Sequence, residues 1–267
     1  MFKRLSCLLL ALTVLLGCGV QARAEEAPEA NQFPIYVNGQ SVSDAYSVLD
    51  NGVTYVSAYH VAKALIPDTT MWWATNFDLS GTGYTLTVPA GAPYIICNGR
   101  YLYAPDQVRV HPQTGDLLLP VRLLARALGA QLYWDPTGVF LTSGTPLESG
   151  ETFYNADELY LLARTIRHEG GNQPLEGQIA VANTLYNRVY SNKYPNTLHD
   201  VIYQPGQFSS SEGRVPEERH YIAAKLAMDG ARTVPGNCYY FNTAGQSCWA
   251  SRNKTHICTI GSQAFYG

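Results

Sequence analysis

Apolar side chains recur at helical spacing between residues 159 and 189. Leu162 and Ile166 lie one helical turn apart, and Glu169 follows Ile166 by three residues. Residues three, four or seven apart share one face of a helix, so Glu169 falls at the end of the apolar face. Gly170-Gly171-Asn172 comes next, and glycine permits the left-handed backbone with which many helices end. The pattern therefore predicts a helix that ends beside a carboxylate.

The first helix opens with a capping signal, and a second helix follows it. Asn155 followed by Glu158 is typical of a capping box. Pro174 suits the first turn of a helix. The residues after it place apolar side chains on one helical face, namely Ile179, Ala182, Tyr186 and Val189. The sequence therefore predicts a helical hairpin with Glu169 at its elbow.

The first half of the chain has a different pattern, which repeats with a period of about sixty residues. The segment Ile-Tyr-Val-Asn-Gly at 35–39 recurs as Ile-Ile-Cys-Asn-Gly at 95–99. Asn-Gly between apolar runs is a strong signal for a tight hairpin turn. Each copy is predicted to contain a hairpin, a short strand, a helix and a returning strand, the last at 84–88 and 139–142. The expected fold class is α+β, with a β-rich repeat domain that carries short helices and a mainly helical C-terminal domain.

The N-terminus is typical of a targeting segment. A basic pair precedes the apolar run 5–17, and Ala22-Arg23-Ala24 offers a small-residue cleavage site. Residues 1–24 are therefore predicted to be a signal peptide that directs secretion. The alternative is a lipoprotein box ending at Cys18, and only that lipidation would attach the chain to a membrane. The second position of the box holds Leu rather than a small residue, so secretion is preferred.

The rest of the chain divides into two predicted domains, as its length of 267 residues favours. The repeat domain occupies 33–144, a linker rich in Gly, Pro and Ser occupies 145–152, and the helical domain occupies 153–267. The first domain carries no catalytic constellation, so we expect it to position the second on its target. Trp134 is expected in the core, whereas Trp72-Trp73 fits either a core or a platform that stacks on sugars. A monomer is expected.

Composition excludes some functions. A net charge of −3 gives no electrostatic case for a nucleic-acid partner or an anionic membrane surface. Once the leader is removed, the cysteines that remain are Cys97, Cys238, Cys248 and Cys258. In an exported chain these can form disulfides, with Cys248–Cys258 and Cys238–Cys248 as candidate pairs. Their spacing fits no common zinc site, and His60 and His111 lack partner ligands in sequence, so no metal or cofactor is expected.

The chemistry of the elbow carboxylate has two interpretations. An ionised carboxylate on an apolar face is costly, so the pKa of Glu169 should rise toward the range of a general acid. A structural role, as a partner for a nearby Arg or for the second helix, fits the same position. His168-Glu169 lacks the second His that a zinc protease places at helical spacing, and no Gly-x-Ser-x-Gly motif indicates a serine nucleophile.

Longer motifs favour the catalytic interpretation. They are Glu-Gly-Gly-Asn-Gln-Pro at 169–174, Glu-Gly-Gln-Ile-Ala-Val-Ala at 176–182 and Asn-Arg-Val at 187–189, with further matches at 201–209, 239–242 and 259–265. With these motifs, about residues 155–267 resemble the SleB/CwlJ family of cell wall hydrolases, which includes spore-cortex-lytic enzymes. Many members of that family have Glu at the position of Gln173. The resemblance implies that Glu169 carries the chemistry.

The resemblance implies a lysozyme-like domain that cleaves the glycan strands of peptidoglycan without a cofactor. Glu169 would be the general acid and then the base. The residues implied as substrate-binding candidates are Glu176, Tyr203, Gln207, Phe208 and Asn242. Glu176 also suits a structural role at a helix N-terminus, where the helix dipole stabilises an ionised carboxylate.

An acid that works alone is best served by an attacking group within the sugar. We therefore expect a lytic transglycosylase that leaves 1,6-anhydromuramic ends. If water attacks instead, Glu176 and then Glu212 are the next carboxylates to consider. The alternatives from other classes are a non-catalytic wall-binding protein and a peptidoglycan amidase. Gln173, in place of the family's Glu, favours the first of these.

The repeat domain has a resemblance of its own. Its second copy contains Leu-Pro-Val-Arg at 119–122, Ala-Leu-Gly-Ala at 127–130 and Tyr-Trp-Asp at 133–135. These motifs resemble the copper amine oxidase N-terminal-like domain, a stalk module of exported bacterial proteins. The resemblance implies a secreted protein associated with the cell wall or spore cortex. Whether the setting is spore germination or vegetative growth stays open.

Overall fold

The computed structural model describes residues 33–106, 108–208, 213 and 215–267. The predicted signal peptide 1–24, with Cys18, lies outside the described residues, as does Glu212. The described residues all belong to one structural unit. In the described ranges, no helix is long and apolar enough to cross a membrane.

Short strands alternate with two helices along residues 35–142. In chain order the elements are β1 (Ile35–Val37), β2 (Gln40–Ser41), β3 (Ser47–Asp50), β4 (Val53–Ser57), α1 (Ala58–Leu65), β5 (Thr70–Trp73), β6 (Phe77–Gly81), β7 (Tyr84–Val88), β8 (Tyr94–Cys97), β9 (Arg100–Tyr103), β10 (Arg109–Val110), β11 (Leu117–Pro120), α2 (Val121–Ala127), β12 (Gln131–Asp135) and β13 (Gly138–Thr142). The strands form sheets with the orders β12-β13-β1-β2, β10-β11-β4-β3 and β5-β6-β7-β8-β9. The predicted β-rich domain with short helices is confirmed.

The two repeats exchange their returning strands. The first copy's β7 pairs with β8 of the second copy, opposing Leu86 and Cys97. The second copy's β13 pairs in parallel with β1 of the first copy, opposing Val139 and Ile35. In addition, β4 pairs with β11. Because neither copy completes a sheet alone, the two must fold as one domain.

The Asn-Gly pairs form the tight turns that the repeat predicts. Asn38 and Gly39 both have positive φ, at 52° and 81°, and Asn98 and Gly99 have φ of 49° and 77°. Two successive residues with positive φ define the turn type whose twist matches that of the flanking strands. The hairpins β1–β2 and β8–β9 follow from these local signals.

The tryptophans lie at exposed edges of the sheets. Trp134 is 42% exposed on the edge strand β12, so the expectation that it lies in the core is wrong. An edge strand has a neighbour on one side only, and the Trp134 ring is covered in part by Phe33, at 5.6 Å between ring centroids. Trp72 and Trp73 lie on the edge strand β5 and are 69% and 46% exposed. A sugar platform at these two residues stays a prediction.

The C-terminal part is mainly helical and ends in a small sheet. Its elements are α3 (Gly150–Phe153), α4 (Ala156–Gly170), α5 (Leu175–Val189), α6 (Leu198–Ile202), α7 (Glu218–Met228), β14 (Tyr240–Thr243), α8 (Trp249–Asn253), β15 (His256–Ile260) and β16 (Gln263–Tyr266). The sheet order is β14-β16-β15. The predicted hairpin is the pair α4 and α5. As its capping signal predicts, the Asn155 side chain accepts hydrogen bonds from the backbone N–H groups of Asp157 and Glu158.

The glycines at the elbow permit close packing rather than the left-handed helix end that the sequence predicts. Gly171 has a φ of −57°, so the helix does not end in a left-handed residue. A Cβ on Gly170 would lie 3.1 Å from Val181 Cγ2, and a Cβ on Gly171 would lie 2.5 Å from the Arg167 carbonyl oxygen. Gly170 thus lets α4 and α5 approach each other closely, and Gly171 avoids a clash with the backbone of the last turn of α4.

The second helix is buried on all sides rather than on one face. Its buried residues run without interruption from Gly177 to Arg188. This helix contacts α4, α6 and α7, and it also contacts β14. Because α5 is the central helix of the domain, even its polar positions are enclosed.

A buried ionic cluster joins the two parts of the unit. Asp229, 3% exposed after α7, accepts hydrogen bonds from Arg100 on β9, from Arg126 on α2 and from the Tyr154 hydroxyl. The Arg100 Nε lies 3.0 Å from Asp229 Oδ1, and the Arg126 Nη2 lies 3.2 Å from the same oxygen. The helical part thus places a buried carboxylate among cations of the repeat domain.

The thiols at the described positions Cys97, Cys238, Cys248 and Cys258 are all free. Cys238 is fully buried, and Cys258 packs against the same apolar cluster. Cys248 instead lies at the start of α8. The fold thus places Cys238 and Cys258 in one apolar cluster, and neither candidate disulfide suggested by the sequence is formed.

Candidate active site

Glu169 lies on the last turn of α4, where its side chain is 21% exposed. Burial raises the pKa of this carboxyl above its usual range, and His168, with Nε2 3.8 Å from Glu169 Oε1, acts in the opposite direction. A raised pKa keeps part of the carboxyl population protonated closer to neutral pH. The side chain has the environment that a general acid requires.

The elbow that carries Glu169 is fastened to the C-terminal sheet. Gln263 Nε2 donates to the Glu169 carbonyl oxygen at 2.7 Å. Gln173 Nε2 donates to Ser262 Oγ at 2.8 Å, and the backbone N–H of Ser262 donates to Gln173 Oε1 at 2.9 Å. Gln173 therefore holds the elbow against the C-terminal sheet.

A cavity of about 540 Å³ opens beside Glu169. Its lining residues come from both helices of the hairpin, from the segments before and after α6 and from β14 to α8, namely Glu169, Arg188, Tyr194, Gln207, Phe208, Tyr240, Phe241, Asn242, Cys248, Trp249 and Ala250. Four of the sequence-predicted residues meet here: Glu169, Gln207, Phe208 and Asn242. Residues separated by more than seventy positions in the chain thus surround one space.

Two further predicted residues lie outside the cavity lining. Glu176 is in the first turn of α5, and its carboxylate lies at the Tyr103 phenol of β9, where burial and this carboxylate raise the Tyr103 pKa. Tyr203 follows α6, and its hydroxyl accepts a hydrogen bond of 2.5 Å from Arg164 Nη2. Both side chains are engaged by residues that do not line the cavity, so a role in substrate binding stays a prediction for each.

Arg188 is one of several cavity residues that the sequence analysis did not predict. It is 4% exposed, and burial lowers its pKa. Its Nε and Nη2 donate to the Tyr239 carbonyl oxygen at 2.9 and 2.7 Å, and its Nη1 donates to Gln207 Oε1 at 2.9 Å. The signal available in the sequence was the one basic residue of α5, which lies in the Asn-Arg-Val motif.

Aromatic rings form one wall of the cavity. The Tyr194 hydroxyl donates to the Tyr240 hydroxyl at 2.8 Å, and burial together with Tyr240 raises the Tyr194 pKa to about 12. Trp249 is 56% exposed, with its ring centroid 5.6 Å from that of Tyr240. Exposed aromatic faces beside polar groups suit the stacking of sugar rings.

Glu169 carries the one carboxylate among the described residues that line the cavity. Within the described ranges, no group of three or more His, Cys, Asp or Glu side chains is arranged to hold a metal ion. Glu169 is thus the carboxyl in this described lining that can transfer a proton. The cationic and amide groups around it can hold a ligand in place.

Comparison with known proteins places this geometry in context. Residues 172–266 match the family model described as Cell Wall Hydrolase, and residues 36–142 match the model described as Copper amine oxidase N-terminal domain. Both family resemblances are confirmed. The cell wall hydrolase match begins at Asn172, three residues after Glu169, and includes the cavity residues from Arg188 to Ala250.

Curated relatives share the C-terminal part of the chain. A spore cortex-lytic enzyme of Oceanobacillus iheyensis is 31% identical over 128 residues, which are 46% of this chain and 46% of the relative. A spore cortex-lytic enzyme of Bacillus cereus is 33% identical over 126 residues, which are 46% of this chain and 48% of the relative. The chain spans about half the length of these relatives.

Two solved structures are also similar. The catalytic domain of the Bacillus cereus SleB protein has 28% identity and a TM-score of 0.39, covering 43% of this chain and 92% of that one. The catalytic domain of the germination-specific lytic transglycosylase SleB from Bacillus anthracis has 25% identity and a TM-score of 0.40, covering 45% of this chain and 100% of that one.

Proposed function

We propose that this protein cleaves the glycan strands of peptidoglycan as a lytic transglycosylase. The observation that carries the proposal is the environment of Glu169, a half-buried carboxyl with a raised pKa that is the one carboxylate of the described cavity lining. The confirmed resemblance to cell wall hydrolases and the names of the spore cortex-lytic relatives support peptidoglycan as the substrate class.

The proposed reaction uses Glu169 twice. Its protonated carboxyl donates a proton to the oxygen of the glycosidic bond, the bond from that oxygen to the anomeric carbon of muramic acid breaks, and the next sugar leaves with a hydroxyl. The carboxylate then accepts the proton of the muramic 6-hydroxyl as its oxygen bonds to the anomeric carbon. Protons balance, no water is consumed, and the product is a 1,6-anhydromuramic end.

The surroundings of Glu169 support an internal attacker. A hydrolase needs a second carboxylate, either to activate water or to act as nucleophile. Glu176, the first candidate for a second carboxylate, lies at Tyr103 rather than in the cavity lining. A hydroxyl that belongs to the bound sugar is already in place and avoids the entropic cost of recruiting water.

The substitution at Gln173 does not favour the alternative of an inactive wall-binding protein. Gln173 pairs with Ser262 and lies outside the cavity lining, so the change from Glu leaves the acid and its surroundings intact. The expected location, secreted and associated with the cell wall or spore cortex, belongs to the same proposal.

Digestion of purified sacculi tests the proposal directly. We expect soluble fragments whose muramic ends are lighter than reducing ends by one water, as measured by mass spectrometry. In heavy-oxygen water these ends should carry no label. Labelled reducing ends would replace the transglycosylase mechanism with hydrolysis, and release of stem peptides alone would indicate an amidase.

A further inference from the structure

Arg188 is a buried cation in the cavity that Glu169 lines. Arg188 is 4% exposed. None of the ion pairs among the described residues includes it, although Arg100 and Arg126 both pair with Asp229. A buried charge is costly unless an opposite charge or several hydrogen bonds compensate it. The position therefore calls for an explanation beyond packing.

The partners of Arg188 are all neutral. Three of its N–H groups donate to the Tyr239 carbonyl oxygen and to Gln207 Oε1. Its guanidinium carbon lies 4.9 Å from the ring centroid of Phe208, 5.1 Å from that of Tyr194 and 5.5 Å from that of Tyr240. Carbonyl dipoles and ring faces orient the guanidinium but leave its positive charge without a counter-ion in the described part of the chain.

A guanidinium has five N–H donors, and its planar shape matches a carboxylate. Three donors are occupied by described residues, so two remain for a ligand. A rigidly held arginine with spare donors and uncompensated charge inside a sugar-sized cavity suits recognition of an anion. The ligand that the proposed function offers there is a glycan in which one sugar of each pair carries an acidic side chain.

We propose that Arg188 binds a carboxylate on the side chain of the muramic sugar and thereby sets which glycosidic bond lies at Glu169. The proposal rests on the proposed function. N-acetylmuramic acid and N-acetylglucosamine alternate along the strand, and they differ by the lactyl ether on the muramic sugar. Without a group that distinguishes them, the strand would bind equally well when shifted by one sugar, and Glu169 would then face the wrong bond.

A substitution at Gln207 can test the role of the Arg188 charge without removing Arg188. Its Oε1 accepts from Arg188 Nη1 at 2.9 Å, so Gln207→Glu would place a carboxylate against the guanidinium with almost no change in shape. That carboxylate would neutralise Arg188 and compete with the ligand's carboxylate. The variant keeps the arginine and its bonds to Tyr239, so it tests recognition even if Arg188→Gln fails to fold.

The test measures binding by the full chain carrying Glu169→Gln, so that ligands are not cleaved. The probes are a peptide-free tetrasaccharide of alternating N-acetylglucosamine and N-acetylmuramic acid and a tetrasaccharide of N-acetylglucosamine alone. By calorimetry, the alternating ligand should bind about tenfold or more tightly, the scale of a charge-assisted hydrogen bond. Adding Gln207→Glu or Arg188→Gln should abolish that preference. Glu151→Gln, which changes a charge on an exposed residue outside the cavity lining, should keep it.

A third ligand, with L-alanine on each lactyl group, distinguishes the two sources of the carboxylate. Tighter binding of the peptide-free ligand assigns the lactyl carboxylate, and tighter binding of the alanyl ligand assigns a carboxylate of the peptide. A preference that survives both Gln207→Glu and Arg188→Gln overturns the proposal. Because binding is measured without turnover, this outcome is separate from the digestion of sacculi, whose failure would count against the proposed function.

Discussion

The side-chain amide of Gln173 makes two hydrogen bonds to Ser262, one of 2.8 Å from its Nε2 to Ser262 Oγ and one of 2.9 Å from the Ser262 backbone N–H to its Oε1. This pair ties the elbow that carries Glu169 to the turn between β15 and β16. A Cβ at Gly261, beside Ser262, would lie 2.4 Å from Gln173 Oε1. The elbow and the turn are therefore held in close contact.

Gln173→Glu should keep the elbow in place. A carboxylate accepts from the Ser262 N–H, and the Ser262 hydroxyl can rotate to donate to its other oxygen. We expect activity on sacculi to stay within about threefold of the parent, and Gln173→Leu to lower the free energy of unfolding by about 1 kcal/mol, since two partly exposed hydrogen bonds are lost. Turnover assays and urea unfolding measure both effects. A large loss of activity in Gln173→Glu would indicate that the amide itself takes part in the reaction.

Glu169→Gln removes the proton donor while keeping the shape of the side chain. Activity on sacculi should fall by at least about a hundredfold, the usual scale for a general acid. The matched control is Glu151→Gln, since Glu151 is exposed on α3 and does not line the cavity. Near-parental turnover by Glu169→Gln would remove this residue from the mechanism.

The stability of the protein should depend on pH through Glu169. Burial raises its folded-state pKa above the ordinary value of 4.5, so the folded state holds this proton more tightly than the unfolded state does. This contribution is fully present below pH 4.5 and is lost as the pH rises through the raised value. Glu169→Gln removes the cost of ionisation, so its melting temperature should equal or exceed the parent's at neutral pH. The difference between the two proteins should shrink as the pH falls through the raised pKa toward 4.5. A difference that is independent of pH would contradict the burial argument.

The same raised pKa sets the direction of the pH–activity profile. The reaction begins with protonated Glu169, so kcat/KM should fall as the pH rises through the raised pKa. This fall should occur at higher pH than it would for an exposed glutamate. The profile is measured on soluble glycan fragments. A fall centred at the ordinary pKa of Glu would show that burial has no effect on the pKa of Glu169.

Removing the charge of Asp229 should destabilise the whole unit. Its carboxylate is 1% exposed and Arg100 is 7% exposed, so Asp229→Ala would leave a buried cation without its partner, at a cost of about 3 to 5 kcal/mol. Arg126 is 46% exposed, and Arg126→Gln should cost at most about 1 kcal/mol. Urea unfolding of the full chain compares the two variants. Equal, small effects would show that the cluster does not couple the repeat domain to the helical domain.

Trp72 offers a test of the positioning role expected for the repeat domain. It is 69% exposed on the edge strand β5, so Trp72→Ala should leave the fold unchanged. If the ring stacks on wall sugars, co-sedimentation of the full chain with sacculi should weaken about three- to tenfold, the range for one aromatic stack. Cleavage of short soluble fragments should not change. Tyr133→Ala, at a residue 63% exposed on β12, is the control, and an equal loss in both variants would argue against a specific site at Trp72.

The sequence by itself determined the local elements of this protein, namely its helices and its tight turns. The Asn155 cap, the apolar spacing from Leu162 to Ile166 and the Asn-Gly turns each act through residues a few positions apart. Such signals can be recognised in a single chain because a helix or a hairpin satisfies them without help from distant residues. They were enough to place Glu169 at an elbow between two helices, and its burial there follows from the face on which it lies.

Tertiary structure decided which distant residues meet. The exchange of β7 and β13 between the repeats depends on strand pairing, which no local pattern specifies. Arg188 lines the cavity because neighbouring elements enclose α5 on all sides. Glu176, in the first turn of the same helix, lies at Tyr103 instead. Helical spacing defines which side chains share a face. Only the packing of neighbouring elements determines whether that face meets a core, a partner domain or a cavity.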